Sequence, residues 1–468
     1  MKPGRAILAA MITSRFHAPL AFCVLAAVFV SQDASPEREG WSQEELERIS
    51  QEIRVELEGY RGRKGSGPVA VELTDGPGFM AYAQRRLEAT ETPADIQAWQ
   101  DTCVMLGLIP ADMDLMEVTL KLMEGQVGGF YDPGQDTFYL MENYTGGVAK
   151  IIIAHELTHA LDDQWFDIDG TLESLGGNSD AELAYQAVVE GSGVSAMNRW
   201  TMEHIAELNL ADIAAAQAGS QEAMANAPPV IWKPLMAVYL RGESFLRRTS
   251  SVMNMTMATA EAADVARVFA AVPRSSEQIL HPEKYWDAEQ LDEPLTVRVD
   301  VGELPAGWRV VTEDTLGELS LALVVEPFAK RRGLQLNNPM AIMGVRYTGP
   351  ATEGWGGDRL VLLAKDGARV LFLASEWDRP QDAAEFYEAL SGLREDLEKR
   401  LAKAAGDGPS GLQLRRGREG AHVRLVTWTG VGEEQVAELL AAFEVSVEAG
   451  GESETPTGHR SPGGAEKQ

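Results

Sequence analysis

The run His155-Glu156-Leu157-Thr158-His159 sets two imidazoles four residues apart with a carboxylate beside the first. On a helix, residues i and i+4 share a face, so His155 and His159 can turn toward one metal ion. Glu156 lies about 100° further round the helix than His155, within reach of a water held at that ion. Zinc takes neutral imidazole nitrogens, keeps a position open for water and lowers that water's pKa to about 7. A neighbouring carboxylate can then remove the proton as general base. With 7 histidines in 468 residues, the H-E-x-x-H pattern arises by chance in about one such chain in a hundred, so it carries few false positives. The flanks strengthen it. Ile151, Ile152 and Ile153 precede the motif, Ala160 and Leu161 follow it, and no proline breaks the run. A surface helix with two incidental histidines would not open on three isoleucines.

A catalytic zinc site takes three protein ligands. A third histidine six residues after His159 is absent, because Trp165 stands there. The third ligand must come from elsewhere, and the segment from Asp180 to Gly193 offers it. Asn178, Ser179 and Asp180 supply a helix cap and an acidic first turn. Ala181, Ala184, Ala187, Val188 and Val189 supply a small apolar face. Glu190 follows this face directly and is drawn inward, where a carboxylate needs a partner. Glu190 is therefore favoured as ligand over Glu182 and Asp180. Gly191 and Gly193 allow another backbone to come close. Asp162 and Asp163, one turn past His159, can orient a histidine ring or simply end the helix. A donor for a developing oxyanion is also required; His281, Tyr285 and Tyr239 are candidates, although His281 equally suits a helix cap.

The elements that must position these groups follow from pattern. Ser42 and Glu45 form a possible capping box for a helix to Tyr60, which a glycine-rich stretch at 63–67 ends. Residues 79–108 suggest one or two helices and 113–124 another. The segment 125–141 predicts a hairpin turning at Asp132-Pro-Gly-Gln. Its free edge could pair with an extended peptide, or belong to an ordinary mixed sheet. Helix is expected after Glu190 to about 225 and again from Trp232 to about Val272. From about 295 the texture changes. Strand-like runs recur at 295–301, 319–325, 359–364, 369–375 and 422–428, and helical patterns at 380–404 and 432–445. The expected fold class is α+β, with a mostly helical catalytic domain over 42–290 that includes a small mixed sheet, and a smaller α+β domain over 295–448. Residues 33–41 suggest a linker and 449–468 a disordered tail. No internal repeat or phosphate-binding glycine loop is present.

The formal charge of −30 repels nucleic acid and anionic lipid, so a nucleic-acid partner is not expected. Lys2, Arg5 and Arg15 followed by the apolar run from Ala18 to Val30 suggest a signal peptide or anchor over 1–32. The expected location is outside the cytoplasm: extracellular, periplasmic or held at the cell envelope. Membrane contact is expected only if that segment stays uncleaved. Beyond it Cys103 is the one cysteine, which excludes an intrachain disulfide and a thiolate zinc site in the mature chain.

The motif with Glu190-Gly downstream resembles the gluzincin, or thermolysin-like, metallopeptidases over about residues 125–195. Further pieces resemble a family of predicted bacterial secreted metallopeptidases. They are Leu106-Gly-Leu-Ile-Pro, Gly129-Phe-Tyr-Asp-Pro, His155 through Gln164, Val189-Glu-Gly, Glu277-Gln-Ile-Leu-His-Pro-Glu-Lys-Tyr and Gly354-Trp-Gly-Gly-Asp-Arg. The resemblance implies a zincin-like domain with His155, His159 and Glu190 as zinc ligands, Glu156 as base, and a peptide or protein substrate. One departure stands out. The thermolysin pattern has an aspartate in the helix of the third ligand that supports a histidine; here that position is Val194. Two alternatives compete with a peptidase: an inactive zinc-binding protein of the cell envelope, and a structural zinc domain closed by a fourth ligand such as His281. Neither explains a carboxylate at Glu156.

Overall fold

The computed structural model describes residues 20–22, 40–124, 127–209, 224–252, 259–334, 341–342, 344–417 and 420–450. The expected leader, apart from 20–22, most of the linker and residues 451–468 of the expected tail lie outside these. The fold is α+β, as its sequence suggests.

The capping box expected at Ser42 and Glu45 forms: the Glu45 amide donates to Ser42 Oγ at 3.3 Å and the Ser42 amide to Glu45 Oε2 at 3.0 Å. It starts helix α1 (Gln43–Arg61), which ends at Gly62 with φ of 64°. The stretch 79–108 divides into α2 (Gly76–Thr90) and α3 (Pro93–Met105), because Thr92 and Asp95 build a second capping box. Helix α4 (Leu115–Glu124) follows.

Strands β1 (Leu20–Phe22), β2 (Ala70–Thr74), β3 (Val127–Asp132) and β4 (Thr137–Met141) form one sheet in the order β1-β3-β4-β2. The predicted hairpin is β3–β4, paired antiparallel with Phe130 opposite Tyr139. Its outer edge is not open. Leu20–Phe22 runs antiparallel to β3 there, with Leu20 opposite Phe130, so this chain's own backbone takes the place anticipated for a peptide.

Against this sheet lies a helical assembly: α5 (Gly146–Phe166), α6 (Ile168–Leu175), α7 (Ser179–Glu203), α8 (Pro229–Leu246), α9 (Ala262–Ala270), α10 (Ser276–Leu280) and α11 (Glu283–Trp286). Two expectations are corrected. Helix α7 stops at Glu203, well short of 225, and residues 210–223 of that stretch are outside the described ones. The helix expected from Trp232 to Val272 breaks after Leu246, where Arg248 adopts a left-handed φ of 57° that a helix cannot continue.

The remainder contains β5 (Thr296–Val301), β6 (Arg309–Asp314), α12 (Gly317–Val324), β7 (Trp355–Lys365), β8 (Ala368–Trp377), α13 (Pro380–Ala405), β9 (Ser410–Arg416), β10 (His422–Thr429), α14 (Glu433–Leu440) and β11 (Phe443–Glu448). Five strands make an antiparallel sheet in the order β6-β7-β8-β10-β9, and β5 pairs with β11. The run 319–325, expected as a strand, is helix α12. Its residues are buried on nearly every side, and a short apolar run does not distinguish a buried helix from a buried strand. The helix expected over 432–445 ends at Leu440, and the chain then turns into β11.

Side chains from both sides of the division expected near 290–295 share an interior. One core cluster contains Trp99, Tyr185, Tyr239, Leu319, Leu360 and Phe386 together. Carboxyl groups accumulate where the two parts meet. Asp180, fully buried, accepts the Ser276 amide at 3.0 Å. Asp358 accepts the amides of Leu316 and Gly317 at 2.8 and 2.9 Å and the Trp355 indole at 2.9 Å. Burial, reinforced by the nearby Asp358 and Glu318 and only partly offset by Ser276, pushes Asp180 from 3.8 up to about 8. The unfolded chain releases this proton near pH 4 and the folded protein holds it to about pH 8. The stability it contributes is therefore fully present below pH 4 and lost as pH rises toward 8. Asp180→Asn, neutral throughout, is expected to flatten that fall and raise the thermal midpoint at pH 8 by about 2 °C or more. An unchanged slope of midpoint against pH between 5 and 8 would count against a protonated Asp180. No helix among the described residues is long and apolar enough to cross a membrane.

Candidate metal centre

Helix α5 is apolar on both sides because it is covered on both sides. Ile152, Ile153, Leu157, Ala160 and Leu161 pack in one cluster with Ile49, Ile53 and Leu57 of α1 and with Phe138 and Leu140 of β4. The imidazoles of His155 and His159 meet α7, whose residues from Ser179 to Asn198 are all buried. The pairing that the sequence suggested is present: His155 Nε2 lies 3.1 Å from Glu190 Oε2, His159 Nε2 lies 3.5 Å from the same oxygen, and the two Nε2 atoms are 2.8 Å apart. Glu182 and Asp180 are on the same helix but do not join this group; Glu182 sits about 12 Å back along the axis from Glu190.

Glycine makes this approach possible. A Cβ on Gly193 would come within 2.7 Å of His155 Cε1 and 2.8 Å of His159 Cε1, so the two rings occupy the space a side chain would need. Gly191 does the same one turn-face away, against α8. A Cβ there would stand 2.3 Å from the carbonyl carbon of Gly242, so α7 and α8 touch through their backbones.

The charge states suit a cation. Burial pushes His159 down to about 4, with His155 adding to the effect, so its ring is neutral at pH 7. Burial also raises Glu190, but its bonds to the two imidazoles outweigh this and hold the carboxyl below its ordinary value. Among the described residues His159 Nδ1 is buried without a hydrogen-bond partner, while its Nε2 faces Glu190. Two imidazole nitrogens and one carboxylate oxygen form a donor set that zinc takes in catalytic sites. The residues present fit the ion.

Of the three suggested oxyanion donors, the structure brings one to the site. The Tyr239 ring on α8 stacks on His155, with centroids 5.9 Å apart and planes 22° from parallel. His281 is elsewhere. It caps α10, and its Nε2 lies 3.0 Å from Glu318 Oε2, so it neither donates at the site nor closes it as a fourth ligand. Tyr285 donates its hydroxyl to the Ala271 carbonyl and packs edge-on against Phe245 and Trp286. Both are corrections to the sequence reading, and their cause is that motif proximity in the chain says nothing about which side of a helix cluster a residue reaches.

The two aspartates after His159 have other partners. Asp163 accepts the Tyr131 hydroxyl at 3.1 Å and the Ile168 amide at 2.9 Å. Asp162, fully buried, accepts the Ser192 hydroxyl and lies 3.5 Å from Arg61 Nη2, which also donates to Ser192 Oγ. Arg61 is the last residue of α1, so three helices are tied together two residues past Glu190. Nothing local in the sequence marks Arg61 or Ser192 for this role. Cys103 is buried, and burial pushes its thiol up, in keeping with core packing. A second carboxylate group, Glu277, Asp292 and Asp378, already holds a cation: Lys284 Nζ is 2.6 Å from Glu277, 2.6 Å from Asp292 and 3.3 Å from Asp378.

Comparison with known proteins adds one finding. Residues 307–439 match a family model described as "Domain of unknown function (DUF8575)". No curated protein and no solved structure matches the chain. The match covers β6 through most of α14 and excludes the helices that carry the candidate metal centre.

Proposed function

We propose that this protein is a zinc-dependent peptidase that hydrolyses peptide bonds with Glu156 as general base. The observation that carries this reading is the convergence of His155 Nε2, His159 Nε2 and Glu190 Oε2, with Glu156 next to the first of them on α5. Zinc held by these three residues would supply a Lewis acid for the scissile carbonyl and acidify a water. Glu156 takes the proton from the attacking water and returns it to the leaving amine. It is fully buried. Tyr239, on the face of His155, is the donor best placed for the developing oxyanion. The substrate is a peptide or protein, and the place of action is outside the cytoplasm.

The test is direct. Purified protein is expected to contain one zinc per chain, to cleave members of a peptide library, to lose cleavage on treatment with a chelator and to regain it with added zinc. Cleavage that persists after zinc has been stripped would sink the reading. One observation favours a second reading. His155, Glu156 and His159 are 0–1 % exposed, which suits a zinc-holding envelope protein without turnover. Stoichiometric zinc with no cleavage anywhere in the library would establish that reading instead.

A further inference from the structure

The helix that carries Glu190 begins against the segment matched as a domain of unknown function. Ser179 is the first residue of α7 and is fully buried. The first amides of any helix have no partner within it, and buried amides need one. Asn178 Oδ1 accepts the Ala181 amide at 3.0 Å. The Ser179 amide goes instead to Asp314 Oδ1 at 3.0 Å, and the Ser179 hydroxyl to Asp314 Oδ2 at 2.6 Å. Asp314 ends β6, the edge strand of the five-stranded sheet, and is held in turn by the Thr315 amide at 2.8 Å. The Asp180 amide donates to the Thr315 carbonyl at 3.2 Å. Two consecutive residues of the module thus grip two consecutive residues of the helix. The grip is charge-assisted and places a carboxylate at the positive end of the helix dipole.

We infer that Asp314 is a positioning residue for Glu190, and that the 307–439 module serves to set the axial position and rotation of the ligand-bearing helix. The inference rests on the zinc reading above. Ser179 and Glu190 are eleven residues apart on one continuous helix, about 16 Å along its axis. A slip of one residue at the start would rotate Glu190 by about 100°, away from both imidazoles. Further along, the Gly191–Gly242 contact and the Arg61–Ser192–Asp162 tie hold the same helix laterally. The two bonds to Asp314 bind its first residue, end-on, to a different layer of the fold. Asp314 is no member of the group formed by His155, His159 and Glu190, yet its strand holds the helix on which Glu190 rides.

The test measures zinc affinity in the full chain by competition with a chromophoric chelator. Asp314→Ala is expected to weaken zinc binding about 10-fold or more, the range seen when groups that orient ligands are removed. Asp314→Asn keeps an acceptor oxygen for the Ser179 amide and is expected to recover part of that loss. Leu363→Ala, a fully buried core change in the same module with no bond to α7, is expected to lower the thermal midpoint while leaving zinc affinity unchanged. Equal affinity loss in Asp314→Ala and Leu363→Ala, or none in Asp314→Ala, overturns the inference. If Asp314→Ala does not fold, Ser179→Ala decides, since it removes only the hydroxyl bond; unchanged affinity there also overturns it. A wild-type protein that takes up no zinc would instead bring down the zinc reading itself, an outcome visible before any variant is made.

Discussion

Replacing Glu156 by glutamine is expected to lower peptide hydrolysis by about 100- to 10,000-fold while zinc stays bound. That corresponds to about 3–5 kcal/mol of transition-state stabilisation. Glutamine has nearly the shape of glutamate, so the packing of α5 is preserved. The ligands His155, His159 and Glu190 are untouched, so zinc content should match that of the wild type. What disappears is a basic oxygen able to accept the water's proton. The loss should fall on kcat with KM little changed, as for an interaction made only in the transition state. Metal analysis, circular dichroism and steady-state kinetics on the same preparation check all three parts. Full activity in this variant would remove Glu156 from the chemistry, and loss of zinc would mean that it acts through the site's structure.

The second large effect is expected on stability, from Gly242→Ala. A Cβ on Gly242 would lie 1.8 Å from the carbonyl oxygen of Ala187 and 2.7 Å from its carbon. These are backbone atoms of a buried helix, which cannot turn aside as a side chain would. Helix α8 would have to retreat from α7. Inserting atoms into a tight core costs about 1–3 kcal/mol. A backbone-to-backbone clash belongs at or beyond the upper end, so a loss of about 3 kcal/mol or more is expected in the unfolding free energy from denaturant titration. The retreat would also carry Tyr239 away from His155, so the remaining folded protein should show impaired catalysis. Gly392→Ala provides the contrast. It lies on α13 with nothing within 4 Å of the added carbon, and removing a glycine from a helix interior should stabilise by up to about 1 kcal/mol. A Gly242→Ala variant as stable as the wild type would show that the two helices do not touch as described.

Several features of this protein were legible as local patterns. The capping box at Ser42 and Glu45, the hairpin turn after Asp132 and the long helix from Pro380 each depend on residues a few positions apart. The candidate metal ligands are a special case of the same rule. His155 and His159 are neighbours on one helix turn, and Glu190 stood out because a carboxylate after an apolar face needs a buried partner. The misreadings have separate causes. The strand expected at 319–325 is a helix buried on nearly every side, and burial on every side erases the periodicity that separates the two. The helix expected through Arg247 and Arg248 ends there in a left-handed residue with no glycine or proline to announce it.

By itself the sequence placed two imidazoles and a carboxylate on one helix-compatible run, singled out Glu190 as the candidate third ligand, and left Cys103 as the one cysteine beyond the expected leader. It could do so because each of those conclusions depends on chemical type and on spacing within one element. Only the tertiary structure brought Tyr239, and not Tyr285 or His281, beside His155, drew Arg61 and Ser192 onto Asp162, and set Asp314 on the first turn of α7. Those partners are separated by tens to more than a hundred residues in the chain. No local periodicity encodes contacts at that range; they follow from which helix faces meet, and here glycines at 191, 193 and 242 set how closely they meet.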